Sequence, residues 1–185
     1  MIIMISGIPC SGKTTLLKSI IKDLGSYENC EPTSLFKCQK FKDVLVIGQY
    51  PENETFGGTD RLSYGTISKF QDFINTQSKQ YKHIIFEGDR FTNNIEWVLD
   101  KHQSIVYILI VSYEEENKRH TLRKDNQSET WLKGRRTQID NIQKNLSLMG
   151  RLQIRDTSDG INTVKGEIME ILNAWFFKRS YQNNW

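Results

Sequence analysis

The chain has 185 residues, 37% of them hydrophobic, with a mean hydropathy of −0.55 and a net charge of +3. These values exclude a membrane-spanning chain and a disordered polar one, and they suit one soluble domain with a real core. Cys10, Cys30 and Cys38 are odd in number and lack metal-ligand spacing, which points to a reducing cytoplasm rather than a disulfide framework.

The opening apolar run Ile2, Ile3, Met4, Ile5 is too short and lacks the basic flank of a leader, so it reads as a buried first strand. Residues 7–14 then read Gly-Ile-Pro-Cys-Ser-Gly-Lys-Thr, a full match to the phosphate loop G-x-x-x-x-G-K-[ST]. Gly7 and Gly12 let the backbone wrap so that the N–H groups of Pro9's neighbours Cys10, Ser11 and Gly12 can surround one anion. The helix opening at Lys13, Thr14 and Thr15 adds its positive end. Lys13 is placed to reach the β- and γ-phosphates of a nucleoside triphosphate, and the Thr14 hydroxyl to ligate Mg²⁺.

A polar stretch over about 25–42 has no clear period. Val44, Leu45, Val46 and Ile47 form a second strand ending at Gly48, and a loop with Pro51, Gly57 and Gly58 follows. An amphipathic helix is predicted over 64–80, a third strand over 83–86 and a short helix over 93–101. The clearest buried strand is 105–111. Helices over about 114–124 and 129–146, a fifth strand near 152–155 and a final helix over 164–177 complete the pattern, with a frayed tail over 178–185. Strands alternating with helices predict an α/β fold: a three-layer P-loop NTPase kinase architecture with a five-stranded parallel sheet, helices on both faces, and one domain over 1–185.

Three further segments bear on chemistry. Phe86-Glu87-Gly88-Asp89-Arg90 closes the third strand beside the phosphate loop. There Glu87 could hold the Mg²⁺ shell, and Asp89 could do so or orient an acceptor. Gly57-Gly58-Thr59-Asp60-Arg61 offers a carboxylate to activate an attacking hydroxyl and a cation to offset phosphate charge, although Asp60 could equally cap the next helix. The basic segment 118–136 contains Arg119 and Arg123 on one helix face and Arg135 and Arg136 beyond them. It reads either as a helical lid, about 115–136, closing over a triphosphate or as a solvated basic surface. Thr157, after the last strand, falls where such folds hold adenine. Among the aromatics, Tyr50 and Phe56 are the candidates to stack on a base.

In motif order the whole length resembles small P-loop kinases of the nucleotide and polynucleotide kinase group. Gly-Gly-Thr-Asp-Arg-Leu-Ser (57–63), Phe-Glu-Gly-Asp-Arg-Phe (86–91) and Asn-Gln-Ser-Glu-Thr-Trp-Leu-Lys-Gly-Arg (126–135) are similar to segments of phage kinases that phosphorylate the hydroxymethyl group of 5-hydroxymethyluracil in DNA. That resemblance implies ATP and Mg²⁺ as cofactors, Asp60 as activator of the acceptor, and Lys13, Arg119 and Arg123 around the triphosphate. It also implies DNA with a modified pyrimidine as partner, with Arg135 in a DNA-facing lid. A deoxynucleoside monophosphate kinase, with Arg61 and Arg90 clamping the acceptor phosphate, remains open. So do a polynucleotide 5′-hydroxyl kinase and a non-catalytic NTP-binding regulator.

Overall fold

The structure is a computed structural model that describes residues 1–51, 57–63, 65–88, 91, 103–124, 127–145 and 150–182, with side chains at 67 and 175–182 left aside. Its strands are β1 (Ile2–Gly7), β2 (Glu28–Cys30), β3 (Cys38–Phe41), β4 (Val44–Ile47), β5 (His83–Glu87), β6 (Ser104–Ile110) and β7 (Leu152–Asp156). Five α-helices lie among the described residues: α1 (Lys13–Leu24), α2 (Thr66–Gln77), α3 (Tyr113–Arg123), α4 (Glu129–Lys144) and α5 (Asn162–Gln182).

The sheet is mixed and seven-stranded, in the order β2-β3-β4-β5-β1-β6-β7. This corrects the expectation of a five-stranded parallel sheet. The strands β4, β5, β1, β6 and β7 do pair in parallel, but β2 and β3 add an antiparallel edge. A second correction concerns the C-terminal tail, which continues α5 as helix to Gln182 instead of fraying from 178. The short helix expected over 93–101 falls outside the described residues.

Period-two alternation sorts the core. Ile2, Met4, Leu45, Ile47, Ile84, Phe86, Val106 and Ile108 face α2 and α4, meeting Phe70, Phe73, Ile74, Ile139 and Ile142. Their sequence neighbours Ile3, Ile5, Val44, Val46, Ile85, Tyr107 and Leu109 face α1 and α5, meeting Leu16, Leu17, Ile20, Val164, Ile168 and Leu172. Strands apolar on both faces require helices on both faces, hence three layers.

Because β1 lies between β5 and β6, its carboxyl end is flanked by material from both sides. In register, Ile5 is level with Glu87 on β5, and Gly7 is level with Leu109 on β6. The chain leaves β1 through the phosphate loop, leaves β5 through Glu87, and leaves β6 towards α3. All three exits converge at one edge, the place where ligands bind in open α/β sheets.

Candidate functional site

The loop after β1 is held by close backbone approach. A Cβ on Gly7 would stand 2.3 Å from the Leu109 carbonyl oxygen, so β1 and β6 can meet there only through glycine. Cys10, with φ 59, and Gly12, with φ 90, turn the chain through left-handed conformations that aim successive N–H groups inward. Helix α1 begins at Gly12 with no side-chain cap and no acidic residue in its first turn, which leaves its positive end to an external anion. The contrast with α3 is direct. There Ser112 accepts a hydrogen bond from the Glu115 N–H, and Glu114, Glu115 and Glu116 crowd the first turn, so that end repels anions.

Lys13 Nζ donates to the carbonyls of Gly7 at 2.8 Å and Ile8 at 2.9 Å, which holds the ammonium against the loop. The Arg119 guanidinium donates to the Cys10 carbonyl at 3.1 Å and to the Thr157 carbonyl at 2.6 Å. Arg123 reaches Cys10 Sγ at 3.4 Å. Two arginines one turn apart on α3 thus meet a single residue of the loop. Glu115 accepts from Arg119 Nε at 3.0 Å, and this hydrogen bond, seconded by Lys118, holds its carboxyl below the usual carboxylate range.

Beneath these groups lies a cavity of about 540 Å³, lined by Cys10, Gly12, Lys13, Thr14, Thr15 and Lys18, with Arg119, Leu122 and Arg123 from α3 and Gly160 and Ile161 from the β7–α5 turn. Seven of the residues singled out in the sequence therefore share one cavity: Cys10, Gly12, Lys13, Thr14, Thr15, Arg119 and Arg123. Gly7, Pro9 and Ser11 form the loop under them. Thr157 is fully buried and does not line the cavity. Its hydroxyl lies 2.7 Å from the Ser11 carbonyl and 3.0 Å from that of Ile110, so it braces the loop from behind. Gly160, Ile161 and Leu122 do the lining instead, and nothing in their local sequence marked them. Arg135 is also not part of this wall. It sits on α4 with its guanidinium 5.2 Å over the Trp131 ring and donates to Gln138 at 2.8 Å. Arg136 donates to both oxygens of the buried Glu116 at 2.9 Å, which fastens α4 to α3.

On the other flank of Thr14 a second group gathers. The Thr14 hydroxyl donates to Glu87 Oε1 at 3.1 Å, and Glu87 is only 3% exposed. The turn Thr59–Arg61 is fixed to the same residue, because the Thr59 hydroxyl donates to the Glu87 backbone carbonyl at 2.9 Å. Asp60 follows directly and is exposed. A Cβ on Gly88 would stand 4.0 Å from Asp60 Oδ1. Gly58, with φ 80, packs against the Glu87 carboxylate so tightly that an added Cβ would lie 2.2 Å from Oε1. Arg61 is exposed at the end of this turn, while Asp89, Arg90 and Phe56 lie outside the described residues.

Tyr50 corrects an expectation. It is buried rather than available to stack, with its hydroxyl 3.4 Å from the Ile47 carbonyl. Burial first, then the charges of Glu87 and Asp60, push its phenol well above the usual range, so the hydroxyl stays protonated beside the two carboxylates. The phenol ring is thus part of the wall behind Glu87.

No family model matches the sequence, and no curated protein matches it. Among solved structures, deoxyadenosine kinase from M. mycoides with bound dATP is similar at a TM-score of 0.51 and 18% identity, over 94% of this chain and 100% of that one. Thymidylate kinase from Candida albicans is similar at a TM-score of 0.47 and 14% identity, over 94% of this chain and 91% of that one. No helix among the described residues is long and apolar enough to cross a membrane. The likeness to the M. mycoides enzyme extends over nearly the whole chain, and what it shows is the fold: an α/β architecture with helices on both faces of a mixed sheet.

Proposed function

We propose that this protein transfers the γ-phosphate of ATP to a hydroxyl of a nucleic-acid component, and that the hydroxyl is the hydroxymethyl group of 5-hydroxymethyluracil in DNA. The observation that carries the reading is the position of Glu87. Its carboxylate accepts from Thr14 of the phosphate loop, while its backbone carbonyl accepts from Thr59, the residue before Asp60. Donor loop and acceptor turn are thereby held side by side through one residue, the proximity that phosphoryl transfer exploits.

The groups on the donor side fit a triphosphate. The Ser11 hydroxyl is fully buried and has no hydrogen-bond partner among the described residues, an arrangement that a bound polar group would relieve. The Thr14 hydroxyl and the Glu87 carboxylate are hard oxygen donors in contact. They suit Mg²⁺, which takes one or two protein oxygens and completes its shell with water and phosphate. Such an ion would neutralise phosphate charge. The chain's own contribution is positional. Lys13 holds a cation at the mouth of the loop, and Arg119 and Arg123 present two more from α3, the first helix of a lid over about 115–136. Asp60, exposed beside Gly88, takes the proton of the attacking hydroxyl. One domain over 1–185 contains all these groups, and the reaction belongs to the cytoplasm.

The identity of the acceptor rests on the similarity of segments 57–63, 86–91 and 126–135 to the phage DNA kinases. A second reading, a free deoxynucleoside or its monophosphate, draws on the activity named for the M. mycoides relative in fold. The deciding experiment incubates the protein with γ-labelled ATP, Mg²⁺ and one of several acceptors: duplex DNA containing 5-hydroxymethyluracil, the matched thymine duplex, a 5′-hydroxyl oligonucleotide, deoxynucleosides and their monophosphates. Label confined to the hydroxymethyluracil duplex is the expected result. Label confined to the free nucleosides or nucleotides replaces it with the second reading.

A further inference from the structure

Thr14 and Lys18 are one turn apart on α1 and therefore share a face of that helix. Both touch the segment that leaves β4 and returns towards Asp60. A Cβ on Gly57 would lie 3.4 Å from Thr14 Cγ2, and Lys18 Nζ donates to the Pro51 carbonyl at 2.7 Å. Beyond Gly57 the chain is knitted to itself, because the Gly58 N–H donates to the Gln49 carbonyl at 2.7 Å and the Gln49 N–H returns to Gly58 at 3.4 Å. Helix α1 thus holds Pro51 through Lys18 and lies alongside Gly57 through Thr14.

Lys18 is half-buried and also lines the donor cavity. Its ammonium makes a charge-assisted bond to the Pro51 carbonyl, a stronger tether than a neutral donor would give. We propose that Lys18 is a positioning residue for the phosphate acceptor. By holding Pro51, two residues past the Gln49 that pairs with Gly58, it fixes the Gly58–Asp60 turn and so sets where the acceptor hydroxyl stands relative to Thr14 and Glu87. The inference rests on the reading of that turn as the acceptor side. The competing account is that Lys18 serves only the donor cavity it lines, with the Pro51 contact incidental. The two accounts move different constants.

The test uses the full chain carrying Lys18→Met, with Lys18→Arg as the conservative variant that can still donate to a carbonyl. Amide exchange at Gly58 in the nucleotide-free protein reads the tether without any assay of activity. Lys18→Met is expected to accelerate it about tenfold relative to the Leu16 amide inside α1, and Lys18→Arg to restore it. In the transfer assay with ATP and the 5-hydroxymethyluracil duplex, Lys18→Met raises the acceptor KM about tenfold, the loss of one charge-assisted hydrogen bond, and leaves the ATP KM within about twofold. Unchanged Gly58 exchange overturns the tether. A rise in the ATP KM alone assigns Lys18 to the donor cavity and overturns the proposal. Should wild type label no acceptor while Gly58 exchange still responds, the reading of the turn as an acceptor site fails, and the acceptor role of Lys18 with it.

Discussion

On the proposed donor side, eight consecutive residues, 7–14, supply the turn, the helix end, the cation and the hydroxyl, and α3 adds Arg119 and Arg123 from above. On the proposed acceptor side the comparable wall is assembled from pieces far apart in sequence: Gly48 and Tyr50 after β4, the Gly58–Asp60 turn, and Glu87 and Gly88 at the end of β5. The first region is specified mainly by local backbone geometry, with β6 and Thr157 packed behind it. The second exists only through tertiary packing, so a single added atom can displace it. Function at the donor loop should therefore be lost without loss of fold, whereas on the acceptor side the two should be harder to separate.

Lys13→Ala gives the largest effect on transfer, a fall of about 10³-fold with the fold intact, since among the described residues its ammonium bonds only loop carbonyls. Single-turnover transfer measured beside thermal unfolding checks both halves of that statement. Asp60→Asn lowers transfer by about 10²-fold or more while ATP affinity stays at the wild-type level, because Asp60 is exposed on the Thr59–Arg61 turn and does not line the cavity. An equal loss of ATP affinity would place Asp60 with the donor groups and blur the two halves. Gly58→Ala should combine both kinds of damage. With φ 80 and a Cβ directed 2.2 Å from Glu87 Oε1, it costs about 2 kcal/mol of stability in denaturant titration and lowers transfer as well.

A smaller effect follows from Thr157→Val. Removing the hydroxyl behind Ser11 loosens the loop from its brace and raises the ATP KM about fivefold at little cost in kcat. The smallest effect belongs to neither half. His83, buried at the amino end of β5, has no hydrogen-bond partner for either ring nitrogen among the described residues. Burial first, then the N-terminal ammonium and Lys82, lower its pKa from 6.5 to about 4. The unfolded chain therefore binds a proton below 6.5 that the folded chain refuses until about 4, and stability falls as pH drops through that window. Denaturant midpoints measured from pH 7 to 4 should show this slope, and His83→Phe should flatten it.

The same division explains what the sequence made visible. The phosphate loop, α1 and the buried strands β1, β4, β5 and β6 were legible because contiguous apolar runs and a fixed spacing carry them. The β2–β3 edge was not. Glu28 and Asn29 are exposed, and in β3 Lys40 shares the face of Cys38 and Gln39 that of Phe41, so neither face reads as an apolar stripe. Tyr50 was misread because its burial depends on Glu87 and Gly58, distant in sequence. The engagement of Arg135 by Trp131 and Gln138, four residues before it and three after, follows from helical spacing, although the sequence reading did not draw it. The dual attachment of Glu87, through its side chain to Thr14 and its backbone to Thr59, has no sequence signature at all.

The two best-placed cations of the donor side do not wait in solvent. Lys13 is already satisfied by the carbonyls of Gly7 and Ile8, and Arg119 by those of Cys10 and Thr157. Any entering anion must exchange with these oxygens rather than simply be captured. A triphosphate carries enough charge to displace several neutral carbonyls at once, whereas a monophosphate or sulfate offers much less in return. On the proposed function, such an arrangement would act as a filter on charge, favouring the loaded nucleotide over the smaller anions that surround it.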